Sequence, residues 1–358
     1  MNGYDMPPHA PATSPSSTMS PSSTVGPVAP PRPGLARTGC KAILHIGGGK
    51  TGSSAIQTLL KQNVSKLSRR GVRVPDADLK LRDTTAGHCV FHLQAIFEKG
   101  EDVRSHLEPL VMEIGDEQTL LISAENMSNG RNYRLFERFA AEYPTKVVFY
   151  IRRQDEFLSS AWQQWQSKVR GDRDAWVEAS LGKQVHWLQT IEGWEAAVGK
   201  GNVVPRIFER ASLPGGDVTR DFLSVLGFNA ENLDLPTGGV NDSYSNLITA
   251  LVEGRTDLFD GPHDDAFYRF VMDLLREADH PRLGSVSLLT RSQRERILDF
   301  YAEENETIRQ RYFPDRETLF SPLDHSRYRY AEDDDVRDEQ IAFLLGALAT
   351  SFKRLRKL

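Results

Sequence analysis

Short apolar runs of β-type composition recur at 43–46, 119–123, 146–151 and 203–208, and the segments between them carry the 3.6-residue apolar spacing of amphipathic helices. This alternation favours a parallel sheet with helices on both faces, since each parallel strand is reached through a crossover that packs back on the sheet. The helix after the first run is expected to begin near Gly52 and to bury Ile56, Leu59 and Leu60. The helix after the third is expected to begin near Gln154 and to bury Phe157, Leu158 and Ala161. From about residue 243 the strand signal fades, and helical spacing over 246–252, 266–276, 291–311 and 339–355 predicts a helical cap or rim. The fold class is therefore α/β: a central parallel sheet flanked by helices, with a helical C-terminal region. No internal repeat is evident.

Residues 1–36 differ from the rest, with nine of the nineteen prolines lying before Gly34 among Ser, Thr and Ala. Such a segment buries too little apolar surface to offset its ordering entropy, so a disordered tail is expected, followed by one domain over 37–358 with its helical cap from about 243. At 358 residues and 39% hydrophobic content, the chain is long enough for a substantial core. A net charge of −5 gives no broad attraction for nucleic acid or anionic membrane, so any polyanion has to be held by locally placed cations. Two cysteines, Cys40 and Cys89, make no disulfide framework. The apolar run IAFLLGALA from Ile341 is about half the ~20 residues of a membrane span, and no secretory signal opens the chain, so a cytoplasmic protein with no membrane span is expected. The acidic AEDDDVRDE before the last helix and the basic FKRLRKL at its end match a helix macrodipole and read as a solvated helix rather than a partner patch.

Two stretches carry the chemistry. In KAILHIGGGKTGSSAIQTLL, 41–60, three consecutive glycines follow a strand and open a helix whose first N–H groups have no intrahelical acceptor. Lys50 adds a positive charge to that anion-binding geometry, and Thr51, Ser53 and Ser54 add hydroxyls. In KVVFYIRRQDEFLSSAW, 146–162, a strand ends at Arg152 and a helix carries Ser160 eight residues later. A strand end and the second turn of the next helix face one crevice, so guanidinium and hydroxyl can meet one phosphate. Two anion sites on one fold suggest a nucleotide with phosphates at both ends.

The first stretch departs from the Walker A order, G-x-x-x-x-G-K-[ST], because Lys50 precedes Thr51-Gly52. As strand-G-x-x-K-T-G-[ST]-[ST]-helix it resembles the 5′-phosphosulfate loop of the sulfotransferases that use 3′-phosphoadenosine 5′-phosphosulfate (PAPS), in soluble bacterial form. The resemblance implies a P-loop-like three-layer fold. It also implies that Lys50 contacts the oxygen bridging phosphate and sulfuryl groups, while Gly48, Gly49, Thr51, Gly52, Ser53 and Ser54 cradle the 5′-phosphate. Arg152 and Ser160 match the pair that holds the 3′-phosphate in that family, with Arg153 and Ser159 flanking them. Phe208-Glu209 stands where a Tyr-Glu is usual, and Asn241, in GGVNDSYSNLITAL, matches an Asn-x-Ser segment placed near the 3′-phosphate; Ser243 there also reads as a helix N-cap. The R-K-G segment that closes over the nucleotide in animal enzymes has no counterpart, which leaves the cover of the adenosine open. The resemblance spans roughly residues 41–320.

Sulfuryl transfer, like phosphoryl transfer, proceeds through a loose in-line transition state served mainly by positioning and charge. By the resemblance no metal is needed, the product nucleotide is adenosine 3′,5′-bisphosphate, and the partner is a hydroxyl acceptor, by analogy a saccharide or glycoconjugate. A base for the acceptor proton is still required. His88, in TTAGHCVFH, comes first, because histidine is the residue type most often used as a base at neutral pH, and Glu125 second. Glu125, at the end of TLLISAEN, sits where strand ends face the ligand crevice. Both remain candidates. His88, Cys89 and His92 also form a His-Cys-x-x-His run, but a third zinc ligand and the H-E-x-x-H context are missing. His45 reads as a loop-orienting or buried strand histidine, and Trp162, Trp165, Trp187 and Trp194 as core. The rival readings are a P-loop kinase or nucleotide hydrolase using ATP and Mg²⁺, and a non-catalytic nucleotide binder. Oligomeric state is not legible.

Overall fold

All four residues of β1 (Ala42–His45) and all five of β3 (Thr119–Ser123) are buried, as is all but Lys146 of β4 (Thr145–Ile151). Continuous burial of this kind belongs to a parallel sheet covered on both faces, which explains why these strands read as unbroken apolar runs. In the computed structural model, which describes residues 34–37, 39–236, 246–277, 286–330 and 334–356, they join β2 (Val72–Arg73) and β5 (Val203–Ile207) in one parallel sheet of order β2-β3-β1-β4-β5. Ile43 lies beside Leu121 and Lys146, and His45 beside Ser123 and Val148. Leu44, Ile122 and Phe149 enter one core, whereas Ile43, Leu121, Val148 and Tyr150 enter the other, so the architecture is a three-layer, P-loop-like α/β fold.

The two expected helices are present. Ser53–Gln62 buries Ile56, Leu59 and Leu60, and Gln154–Gln164 buries Phe157, Leu158 and Ala161. Edge strand β2 was not expected, because two residues are too few to display a period. The helix expected over 291–311 is instead two, Arg291–Phe300 and Ala302–Tyr312, which meet at Tyr301 (φ −96°, ψ 7°). The Tyr301 ring is buried and its hydroxyl accepts the Gly182 N–H at 2.9 Å, an anchoring contact made outside the helix. The C-terminal region is helical through Asn246–Leu251, Ala266–Glu277 and these two helices, but it also contains a small parallel pair, β6 (Val286–Ser287) with β7 (Arg329–Tyr330). The last helix, Asp334–Leu355, starts a full turn before the expected 339, because its acidic first turn suits the positive helix end and its single apolar residue, Val336, is too little to show a period. Among the described residues, no helix is long and apolar enough to cross a membrane.

Sheet order fixes where a ligand can sit. After β1 the chain crosses to the edge strand β2, returns to β3 and then passes β1 to reach β4 and β5, so the connections that leave the neighbouring strands β1 and β4 run in opposite directions. The crevice at such a switch point lies at the carboxyl ends of the two strands, where the Lys50 loop and Arg152 emerge.

Candidate active site

The loop after β1 is shaped by close approach. A Cβ on Gly48 would lie 2.8 Å from the Tyr150 carbonyl, and one on Gly47 would lie 2.6 Å from Ser53 Oγ, so the first part of the turn accepts only glycine. Gly52, at φ +80°, lies against Val218 and Phe208 and starts the helix Ser53–Gln62 without a side-chain cap. Lys50 itself has φ 64°, a strained setting for a lysine that holds the loop open at its crest. Thr51 turns inward, its hydroxyl donating to the Gly48 carbonyl at 2.5 Å. Ser53 Oγ is buried and has no hydrogen-bond partner. A hydroxyl desolvated without a partner is costly, and a phosphate cradled by this helix start would relieve it.

Arg152 joins the two motifs. Its Nη1 donates to the Lys50 carbonyl at 3.1 Å and its Nη2 to Glu156 Oε2 at 3.1 Å, while its own carbonyl accepts Trp187 Nε1–H at 2.8 Å. Burial, with the positive charge of Arg152 beside it, lowers the Lys50 pKa, and Glu125 pulls in the opposite direction. The negative charge of Glu125 thus acts on the lysine, and a Cβ on Gly47 would lie 3.4 Å from Glu125 Cβ. His88 stands exposed in the turn before the helix Val90–Lys99, its ring 6.0 Å from that of Phe91, and none of the described contacts joins it to the loop. Of the two base candidates, the fold brings Glu125 to Lys50.

A cleft of about 680 Å³ opens beside Arg152, with Phe208, Glu209, Val218, Arg327 and Tyr328 among its walls. Glu156 lines it from the helix Gln154–Gln164, and Ser160, one turn further along the same face and half-buried, lies beyond the described lining. Asn241 and Ser243 fall outside the described residues. Beneath the cleft runs a charged network that the sequence did not disclose. Arg153 donates to both oxygens of the fully buried Asp155, at 2.6 and 3.0 Å, and to the Tyr328 hydroxyl at 2.6 Å. Arg294, 2% exposed, also donates to Asp155, and its guanidinium stacks 3.9 Å from the Tyr328 ring centre. Tyr328 in turn donates to Glu156 at 2.7 Å. Burial raises the Glu156 pKa, but Arg152, Arg294, the Tyr328 hydroxyl and Arg153 outweigh it and hold the value to about 2. Arg153 is thus committed to the framework, and Arg152 is the member of the Arg-Arg pair that faces the loop.

A second cleft, of about 250 Å³, lies against Gly49 on the other face of the sheet, lined by Ser128, Asn129, Phe157, Lys183, His186 and Trp187. Phe157 and Trp187 belong to one core and Val218 to the other, so the two clefts open on opposite faces of the sheet. Lys183, His186 and Arg327 were not singled out in the sequence. All three lie in short connecting segments, where local spacing carries no information about what lies opposite. Elsewhere, His45 is fully buried in β1, its Nδ1 2.7 Å from Ser123 Oγ, and burial lowers its pKa to about 3. The Cys89 thiol is pushed up to about 12 by burial, and among the described residues no group of three His, Cys, Asp or Glu could hold a metal. Trp162, Trp187 and Trp194 are buried and Trp165 packs against the same core, so all four serve packing.

No protein-family model matches the chain. An uncharacterized protein of Archaeoglobus fulgidus is 27% identical over 180 residues, covering 50% of this chain and 48% of that protein. The chain thus spans about half the length of this curated relative. A crystal structure of a sulfotransferase from Alicyclobacillus acidocaldarius aligns with 15% identity and a TM-score of 0.33, covering 68% of this chain and 100% of that one.

Proposed function

We propose that the protein transfers a sulfuryl group from PAPS to a hydroxyl acceptor. One observation carries this reading: Arg152 and the Lys50 loop, about a hundred residues apart in sequence, meet through a hydrogen bond at the switch point of the sheet, beside a buried serine hydroxyl that lacks a partner. The helix start, Ser53 and Ser54 would receive the 5′-phosphate, with Arg152 and Ser160 serving the 3′-phosphate in or beside the larger cleft. The acceptor would enter through the smaller cleft and reach the sulfuryl group across Gly49. Its oxygen then attacks sulfur as the bond from sulfur to the bridging phosphate oxygen breaks, leaving adenosine 3′,5′-bisphosphate. The Lys50 ammonium balances the charge that develops on that oxygen, and its lowered pKa eases proton donation there. Glu125 takes the acceptor proton. The polar lining of the smaller cleft, with Asn129, Lys183 and His186, suits a hydroxyl-rich or anionic acceptor such as a saccharide.

Thermal stability with adenosine 3′,5′-bisphosphate in EDTA, compared with ATP plus Mg²⁺, tests the reading. Stabilisation by the bisphosphate without metal is expected, followed by turnover of PAPS with a saccharide acceptor that Lys50→Ala abolishes. Stabilisation by ATP only with Mg²⁺, or equal turnover in Lys50→Ala and wild type, would refute it.

A further inference from the structure

The helix Asp334–Leu355 has two apolar faces, and the fold uses one. Val336 and Phe343 are buried with Tyr268 and Val271 of the helix Ala266–Glu277. On the outer face Ile341, Leu345, Leu348, Phe352 and Leu355 recur at intervals of four, three, four and three residues, with Leu344 beside them, and all six are between 51% and 71% exposed. Five large apolar residues in heptad register over ~21 Å of helix form the seam of a coiled coil without its partner. The helix is exposed on this face, as expected of a solvated helix, but the residues it exposes are apolar, because the run IAFLLGALA serves both faces.

We infer that this face pairs antiparallel with the same helix of a second copy. Charge selects that occupant and that orientation. The acidic run 332–339 precedes the seam and the basic run 353–357 ends it. With Leu348 on the two-fold axis, Ile341 of one copy meets Leu355 of the other, and the acidic start of each helix comes to the basic end of its partner. Parallel pairing would set like charges side by side. An anionic bilayer would repel the acidic first turns, whereas a surface-seeking helix carries basic residues along its polar face. The exposed seam offers roughly 700 Å² per copy, close to the ~800 Å² per partner of a stable interface. The inference is independent of the chemistry assigned to the Lys50 loop.

The test uses the full chain. Sedimentation velocity at micromolar concentration is expected to find a dimer, weakened by high salt. Leu348→Asp, which sets two carboxylates on the axis, is expected to raise the dimer dissociation constant at least ~100-fold while leaving the circular dichroism spectrum and thermal midpoint of the monomer unchanged, since the residue is 71% exposed. A mixture of Ile341→Cys and Leu355→Cys proteins is expected to form the mixed disulfide dimer under mild oxidation, with little self-linkage of either protein alone. A monomeric wild type, preferential self-linkage of the single variants, or a monomer that binds phosphatidylglycerol vesicles through this face would each overturn the inference.

Discussion

Glu156→Gln should move stability and ligand affinity in opposite directions. The Glu156 carboxylate takes hydrogen bonds from Arg152 at 3.1 Å and from Tyr328 at 2.7 Å and lies 3.0 Å from Arg294. Its pKa falls from an ordinary 4.5 to about 2. At ~1.4 kcal/mol per pKa unit, the ionised carboxylate contributes about 3 kcal/mol, trimmed to ~2 kcal/mol because the side chain is 29% exposed and water screens part of it. The folded pKa is the depressed one, so this stabilisation is complete above about pH 4.5 and is lost as pH falls towards 2. The variant should therefore be ~2 kcal/mol less stable at pH 7, and its deficit should shrink across that acid window. Adenosine 3′,5′-bisphosphate should bind the variant ~10-fold more tightly, because a phosphate at Arg152 no longer shares the guanidinium with a carboxylate. Urea unfolding from pH 7 down to pH 3 and titration calorimetry in EDTA measure both effects. A deficit that ignores pH, or weaker binding by a folded variant, would refute the reasoning.

Other outcomes follow from single residues. His45, with its pKa lowered to about 3 by burial, stays neutral while the unfolded chain protonates below its ordinary 6.5. Stability should thus fall as pH drops from 6.5 towards 3, by ~5 kcal/mol at the limit, and His45→Gln should flatten that slope in urea titrations. Gly52→Ala would place a methyl group at φ +80° and 2.9 Å from Val218 Cγ1, so unfolding should find a loss of ~1–3 kcal/mol; wild-type stability would mean the turn is not held as described. Glu125→Gln should lower kcat by ~10²–10⁴ with little change in bisphosphate affinity, while His88→Ala leaves kcat nearly unchanged; the reverse pattern would make His88 the base.

Local patterning reached far into this protein. The runs at 43–46 and 119–123 lie within a residue of β1 and β3, because strands buried on both faces declare themselves as unbroken apolar stretches. The Gly-rich loop was legible for a similar reason: close backbone approach and positive φ demand glycine wherever they occur, whatever surrounds them. Spacing also brought Arg152 forward, but it could not tell why Arg153 differs, since that depends on Asp155 and on Arg294, which arrives from 139 residues away.

Those long-range meetings mark the division. Backbone period, turn chemistry and strand burial are properties of a few neighbouring residues, and the sequence alone determined the α/β alternation and the glycine-rich strand-to-helix turn after β1. Only tertiary structure decided that Arg152 donates to the Lys50 carbonyl, that Arg327 and Tyr328 wall the cleft, that Glu125 rather than His88 stands by the lysine, and which face of the last helix stays exposed. The physical reason is that a side chain's partner, and the water it loses, are set by elements distant in sequence that the fold packs against it.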